Sequence, residues 1–195
     1  MKVIGVTGGV GSGKSAVLSF LDNEYNAVVL LADDAAKELE KKGEACYRPL
    51  IDLLGEDIIG EDGEIDSKVM SSKIFFDNSL LEKVNDIVHP AVKKYILDRI
   101  EEERDLGNVD YFFLEAALLI ECGYKDVVDE MWYIFVREDI RRDRLKRSRG
   151  YTDEKIDSIM RSQLSEKEFR DNCDFVVDNS NTLEESISQI KKRLA

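Results

Sequence analysis

Histidine and cysteine are scarce in this chain of 195 residues, and the few that occur stand far apart. The single histidine, His89, excludes a metal centre built from several imidazoles. Cys46, Cys122 and Cys173 are odd in number and include no C-x-x-C pair, which argues against a disulfide framework or a zinc site. We therefore expect a protein of the reducing cytoplasm.

Long apolar runs and a surplus of basic residues are also missing. No segment has the length of about 20 apolar residues that a membrane-spanning helix needs. The 28 basic residues are outnumbered by 41 acidic ones, for a formal net charge of −13. Because a nucleic-acid partner requires a basic face, we expect no nucleic-acid partner. Because no apolar run is long enough to span a membrane, we expect no membrane partner either. The sequence leaves the oligomeric state open.

Five short apolar segments alternate with helical patterns along the chain. The predicted strands are residues 2–7, 27–31, 109–114, 132–136 and 175–177. Strands that alternate with helices indicate a parallel sheet covered on both faces, with ligands bound at the carboxyl ends of the strands. Ser79 with Glu82, and Thr182 with Glu185, predict helix starts. His89-Pro90 predicts a kink or a break between two helices.

A glycine-rich motif follows the first predicted strand. Residues 8–15 read G-G-V-G-S-G-K-S and match G-x-x-x-x-G-K-[ST], between a predicted strand and a predicted helix. The glycines let backbone N–H groups converge on phosphate oxygens, next to a helix N-terminus. Lys14 can reach the β- and γ-phosphates, and the Ser15 hydroxyl can ligate Mg²⁺. The motif predicts ATP and Mg²⁺ as ligands, held by Gly8, Gly9, Gly11, Ser12, Gly13, Lys14, Ser15 and Ala16.

A basic cluster lies just after the fourth predicted strand. Residues 137–149 carry seven basic and three acidic side chains, a local charge of +4 in an acidic chain. A charge run of this kind is typical of a solvated helix face. Small P-loop kinases, however, place at this point a lid whose arginines neutralise the charge on the transferred phosphoryl group. The candidate lid arginines are Arg141, Arg144, Arg147 and Arg149.

Taken together, the motifs resemble those of the dephospho-coenzyme A kinase family over nearly the whole chain. After the glycine-rich motif, the resemblance is carried by Ala32-Asp33, His89-Pro90, Leu118-Leu119-Ile120-Glu121, Arg144-Leu145, Gln163 and the segment 174–179. It implies an α/β, three-layer P-loop NTPase fold with a five-stranded parallel sheet of order 2-3-1-4-5, a helical substrate-binding subdomain and an arginine-bearing lid. It also implies a single domain over residues 1–195, with a core of about 1–42, 108–136 and 172–195, an insertion of about 43–107 and a lid of about 137–171.

The resemblance implies ATP-dependent phosphorylation of the ribose 3′-hydroxyl of dephospho-CoA, the last step of coenzyme A biosynthesis. Asp33 would be the catalytic base, although a helix N-cap is the alternative. Lys14 would hold the phosphates, and Arg144 would stabilise the transition state. Substrate contacts would come from Asp33, His89, Leu118 and Glu121, and ATP contacts would include Asn179.

Several of these roles have plain alternatives. His89 could contact substrate or only fix the helix break. Glu115 could hold the Mg²⁺ shell through water or cap the next helix. Asn179 could simply occupy a turn, and Gln163 could order the lid or be an ordinary helix-surface amide.

Three positions depart from the family pattern: Leu31 and Ala117 replace an expected Asp and Pro, and Ser148 falls where a second lid arginine is expected. A kinase for another small alcohol and a nucleotide-binding regulatory module are the rival functions. An N-K-x-D motif, which a regulatory GTPase needs, is absent from the sequence.

Overall fold

The computed structural model describes residues 1–75 and 77–195. Its strands are β1 (Lys2–Thr7), β2 (Ala27–Leu31), β3 (Tyr111–Glu115), β4 (Glu130–Phe135) and β5 (Phe175–Asp178). Its helices are α1 (Lys14–Glu24), α2 (Ala32–Leu39), α3 (Tyr47–Leu54), α4 (Ser67–Ile74), α5 (Asn78–Leu106), α6 (Glu138–Arg149), α7 (Asp153–Arg161), α8 (Glu166–Asn172) and α9 (Leu183–Leu194), with 3₁₀ turns at Glu56–Ile58 and Tyr124–Asp126. The five predicted strands are all present.

The strands form one parallel sheet in the predicted order, β2-β3-β1-β4-β5. Strand β1 lies at its centre, where Ile4 pairs with Phe113 of β3 on one side and with Glu130 of β4 on the other. From Val3 to Thr7 every residue of β1 is buried. Because a strand with one solvent face would alternate between buried and exposed, helices must cover both faces of the sheet. The predicted three-layer α/β architecture is confirmed.

The sheet carries an aromatic core. Phe112, Phe113 and Trp132 are fully buried, and the rings of Phe113 and Trp132 lie 6.0 Å apart between centroids. Phe169 of α8 stacks on Tyr133 of β4, with ring centroids 4.6 Å apart. Large aromatic side chains bury much apolar surface, so this packing stabilises the sheet. The loops of the candidate site extend from the ends of its strands.

The chain divides into two compact units. The first consists of Met1–Val29 and Glu103–Ala195, and the second of Leu30–Glu102. The first contains the glycine-rich motif and α6 to α8. The second has a core of its own, with Leu50, Ile58 and Ile96 fully buried. The predicted bounds of the core, the insertion and the lid stay predictions.

In the second unit the cap predicted at Ser79 is wrong, and so is the break predicted at His89-Pro90, whereas the alternative of a kink there stays a prediction. Helix α5 begins at Asn78, and the Asp77 carboxylate accepts a hydrogen bond from the Leu80 N–H at 3.0 Å, so Asp77 rather than Ser79 satisfies the first turn. The helix also continues through Pro90 without a break. Proline removes one backbone donor from a helix of 29 residues, and the remaining hydrogen bonds hold the helix together.

At the other end of the chain the predicted cap is confirmed, because the Thr182 hydroxyl accepts from the Glu185 N–H at 3.3 Å and opens α9. No described helix combines the length and the apolar character that a membrane crossing requires.

Candidate active site

Residues 8–13 connect β1 to α1 at the carboxyl edge of the sheet. Gly13, just before α1, has φ 86° and ψ 23°, in the left-handed region that favours glycine. A β-carbon on Gly13 would collide with the amide nitrogen of Asn179, and one on Gly9 would collide with the guanidinium of Arg141. The glycines therefore serve two needs, the backbone turn and the close approach of polar side chains to the loop.

Lys14 turns back over this loop. Its Nζ donates to the Gly8 carbonyl oxygen at 2.7 Å and lies 3.4 Å from Oε1 of Glu115. The sheet order explains the second contact, because Glu115 ends β3 and β3 is the direct neighbour of β1. Both side chains are 14 % exposed, which leaves them within reach of a ligand. No helix follows Glu115 directly in the described chain, so the cap alternative for this residue is wrong.

Two hydroxyl groups at the loop are buried. The side-chain oxygens of Thr7 and Ser12 have no hydrogen-bond partner among residues 1–75 and 77–195, and Ser12 is only 2 % exposed. Buried polar groups nearly always have partners in proteins, so an unpaired hydroxyl beside a helix N-terminus fits a loop built to receive an anion. The residues present thus suit the phosphates of a nucleotide.

Three of the six basic residues of α6 are paired with nearby carboxylates. Arg142 lies 2.6 Å from Asp157, and Lys146 lies 2.7 Å from Asp153. Arg147 is exposed and lies 3.0 Å from Asp143 on its own helix. These pairs account for much of the basic cluster as a solvated helix surface. Arg149 is exposed as well, with its guanidinium 5.9 Å from the centre of the Tyr151 ring.

Arg141 and Arg144 differ from the three paired residues, because their hydrogen-bond partners are neutral oxygens. Arg141 Nε donates to the Val10 carbonyl at 2.6 Å, and Arg144 Nη2 donates to the Asn179 carbonyl at 2.9 Å. Neither forms an ion pair with a carboxylate in the part of the chain that the structure describes. Burial lowers the pKa of Arg141. Two half-buried cations that are not ion-paired to a carboxylate, beside a phosphate loop, form a site for a polyanion.

Asn179, which follows β5, is 4 % exposed and ties the loop to two helices. Its Nδ2 donates to the Ser12 carbonyl at 2.8 Å, and its Oδ1 accepts from the Ser186 hydroxyl of α9 at 2.9 Å. Its backbone carbonyl accepts the Arg144 hydrogen bond. Asn179 therefore supports the loop directly. Its predicted contact with ATP stays a prediction.

Gln163 contacts the loop from the segment between α7 and α8, so the interpretation as a helix-surface amide is wrong. Its Oε1 accepts from the Val10 N–H at 3.3 Å and from the Arg141 guanidinium. Sequence reasoning noticed Gln163 but left its role open, and it missed Ser186 entirely. The contact between Gln163 and Val10 joins residues 153 positions apart, and nothing in a single sequence indicates that such residues meet.

The remaining predicted residues lie around the loop or in the second unit. Ser15 and Ala16 are exposed in the first turn of α1. Leu118 and Glu121 are exposed in the turn that follows β3. Within the second unit, Asp33 is exposed in the first turn of α2. The N-cap of α2 is Leu31, so the N-cap alternative for Asp33 is wrong.

His89, also in the second unit, is exposed on α5, where the helix break that it was to fix does not exist. The roles predicted for all these residues stay predictions.

A parallel sheet of order 2-3-1-4-5, with a glycine-rich loop between β1 and α1 and arginines from the helix after β4, defines a P-loop kinase. The family model described as "Dephospho-CoA kinase" matches residues 2–185. The chain therefore belongs to the dephospho-CoA kinase family, whose members transfer a phosphoryl group to a hydroxyl in the last step of coenzyme A biosynthesis. The family, the fold and the kinase activity predicted from the motifs are confirmed.

Individual relatives agree with the family match. A dephospho-CoA kinase from Oceanobacillus iheyensis is 36 % identical over 188 residues, covering 96 % of this chain and 94 % of the relative. One from Carboxydothermus hydrogenoformans is 33 % identical over 190 residues, covering 97 % and 91 %. The solved structure of a dephospho-CoA kinase from Campylobacter jejuni shares the fold, with a TM-score of 0.73 at 18 % identity, covering 99 % of this chain and 98 % of the other.

Proposed function

We propose that this chain transfers the γ-phosphoryl group of ATP to the ribose 3′-hydroxyl of dephospho-CoA, yielding CoA and ADP. The observation that supports ATP as the donor is the pair Arg141 and Arg144, two half-buried cations at the phosphate loop without an ion-paired carboxylate in the described residues. The triphosphate group of ATP supplies negatively charged oxygens with which these two arginines can form ion pairs. The family match supports dephospho-CoA as the acceptor.

In the proposed reaction the loop N–H groups and Lys14 hold the β- and γ-phosphates of ATP. Lys14 exchanges its bond to the Gly8 carbonyl for the phosphate oxygens. Arg144 and Arg141 neutralise the charge that develops on the transferred group. Transfer of this kind has little covalent chemistry for the protein to perform, so positioning and electrostatics supply most of the rate enhancement.

Asp33 is the proposed general base. It comes two residues after β2, and parallel sheets bind their ligands beyond the carboxyl ends of their strands. Its side chain is exposed, and no hydrogen bond or ion pair engages it within residues 1–75 and 77–195. It can therefore accept the proton of an acceptor hydroxyl. The acceptor oxygen forms the new P–O bond, the bond between the γ-phosphorus and the bridging oxygen breaks, and ADP leaves.

Mg²⁺ is the proposed metal cofactor. The Ser15 hydroxyl, and Glu115 through water, would hold it together with phosphate oxygens, since Mg²⁺ prefers oxygen ligands. When bound, it neutralises charge on the β- and γ-phosphates.

His89, Leu118 and Glu121 are the proposed acceptor contacts. We also infer a cytoplasmic location, which the lack of a disulfide between the three described cysteines supports.

An acceptor panel tests the proposal. The protein is incubated with ATP, Mg²⁺ and, in separate reactions, dephospho-CoA, nucleosides and shikimate, and each product is analysed by mass spectrometry. A gain of one phosphoryl group on the ribose 3′-oxygen of dephospho-CoA is expected. No gain on dephospho-CoA, with a gain on another alcohol, would assign the chain to a different kinase reaction. ATP binding without ADP release for any acceptor would instead indicate a regulatory nucleotide-binding module.

A further inference from the structure

Gln163 completes a ring of hydrogen bonds at Val10, in the middle of the phosphate loop. Its Oε1 accepts from the Val10 N–H at 3.3 Å and from Arg141 Nη2. Arg141 Nε in turn donates to the Val10 carbonyl at 2.6 Å. The two polar groups of one loop residue are thus held by one arginine and one glutamine.

The orientation of the Gln163 amide follows from its neighbours. Both groups that face it are N–H donors, so the side-chain oxygen must point toward them, and a carboxamide oxygen has two lone pairs to offer. A guanidinium has five N–H donors in a fixed plane. Two of its nitrogens, Nε and Nη2, are engaged by Val10 and Gln163, which fixes that plane against the loop.

The side-chain oxygen of Gln163 belongs to a neutral carboxamide, so it accepts a hydrogen bond from Arg141 without neutralising the charge of the guanidinium. Elsewhere on α6, Arg142 and Lys146 are held by carboxylates. The hydrogen bonds of Arg141 go to the neutral oxygens of Val10 and Gln163, and no carboxylate forms an ion pair with it in the described chain. A glutamate at position 163 would accept the same hydrogen bonds but would neutralise the guanidinium and place a negative charge at the loop.

We propose that Gln163 is a positioning residue, which fixes the Arg141 guanidinium at the phosphate loop while leaving its charge available to the ATP phosphates. The inference rests on the proposed function, because it assumes that a triphosphate binds at this loop. Gln163 acts through Arg141 and has no role in the chemical step itself.

Two substitutions separate position from charge. Gln163→Ala removes the hold on Arg141, and kcat is expected to fall about tenfold, the factor that one charge-assisted hydrogen bond represents. In an Arg141→Ala background the same substitution is expected to change kcat by less than about twofold, because the residue through which Gln163 acts is gone. Gln163→Glu is expected to keep the melting temperature at or above the wild-type value, yet to lower kcat by about tenfold or more.

Asn172→Ala is the matched control. The Asn172 amide lies at the end of α8, where its Nδ2 donates to the Glu168 carbonyl of the same helix at 2.9 Å. The kcat of the Asn172→Ala enzyme is expected to stay at the wild-type value. Wild-type turnover by Gln163→Glu would overturn the proposal, and so would an equal loss from Gln163→Ala with and without Arg141. If Gln163→Ala does not fold, Gln163→Glu decides the question by itself.

Equilibrium titration with a fluorescent, non-hydrolysable ATP analogue separates this inference from the choice of acceptor. Gln163→Glu is expected to weaken binding of the analogue by about tenfold or more, a measurement that needs no acceptor. Weakened binding together with no phosphorylation of dephospho-CoA would retain the role of Gln163 and refute the proposed acceptor. Unchanged binding by Gln163→Glu would overturn the role of Gln163, whatever the acceptor.

Discussion

Replacing Asn179 by alanine should destabilise the protein, because this side chain joins the phosphate loop to α9. The substitution removes the hydrogen bond from Nδ2 to the Ser12 carbonyl, at 2.8 Å, and the bond from the Ser186 hydroxyl to Oδ1, at 2.9 Å. Ser12 is 2 % exposed, so water has little access to its carbonyl. The Ser186 hydroxyl, by contrast, can turn to the Asp178 carbonyl, which lies 3.1 Å away.

The magnitude follows from these contacts. Two net hydrogen bonds contribute about 0.5–1.5 kcal/mol each, and a buried carbonyl left without a donor adds a penalty of about 1–3 kcal/mol. Since these terms overlap, we expect the free energy of unfolding to fall by about 2–4 kcal/mol. For a protein of this size that corresponds to a decrease in the melting temperature of roughly 4–16 °C.

Urea denaturation followed by circular dichroism, together with thermal melting, provides the assay. Asn181→Ala is the matched control, because that asparagine is exposed and its Nδ2 bonds to Glu185 within the same turn. The control should lie within about 0.5 kcal/mol of the wild type. If Asn179→Ala unfolds at the same urea concentration as the control, the proposed link between the loop and α9 contributes no stability and the reasoning fails.

Three further outcomes are expected. Lys14→Ala should abolish measurable ADP formation in a coupled assay, because the ammonium group that would hold the β- and γ-phosphates is gone; turnover near the wild-type rate would contradict its assignment. Asp33→Asn should bind ATP normally in a calorimetric titration but lower kcat by on the order of 10², since an amide cannot accept the proton, and normal kcat would rule out Asp33 as the base. Glu130 is buried, which by itself would raise its pKa, but hydrogen bonds from Lys2 and Arg193 prevail and lower the pKa from the ordinary value of 4.5. Its contribution to stability is therefore present above pH 4.5 and lost as the pH falls through the lowered folded-state pKa, so Glu130→Gln should flatten the decline of unfolding free energy in acid; parallel pH profiles for the two proteins would disprove this.

Much of the fold was predictable because its signals are local. The apolar runs of the five strands and the glycine-rich motif each occupy fewer than about ten consecutive residues, and alternation with helices then determines a parallel sheet. The break predicted at Pro90 is absent because the remaining backbone hydrogen bonds of the 29-residue helix outweigh the loss of one donor. The cap at Ser79 failed for a related reason, since Asp77 lies two residues earlier and accepts a hydrogen bond in the same turn.

The candidate site was predictable only in part. The basic cluster on α6 was visible in the sequence, but the sequence does not show which of its basic residues form ion pairs. Folding brings carboxylates of α6 and α7 close to Arg142 and Lys146, whereas Arg141 bonds to a backbone carbonyl. The contacts of Asn179 with Ser12 and of Gln163 with Val10 join positions more than 150 residues apart, and one sequence holds no record of such pairs.

The two arginines without carboxylate partners have a consequence for stability as well as for binding. A cation removed from water without a counter-charge raises the free energy of the folded protein, so the nucleotide-free form is the less favourable folded state. Nucleotide bound at a concentration of about 100 times its Kd stabilises the folded chain by about 2.7 kcal/mol. The melting temperature of this kinase therefore depends on the nucleotide concentration around it, and the folded chain is least stable where nucleotide is absent.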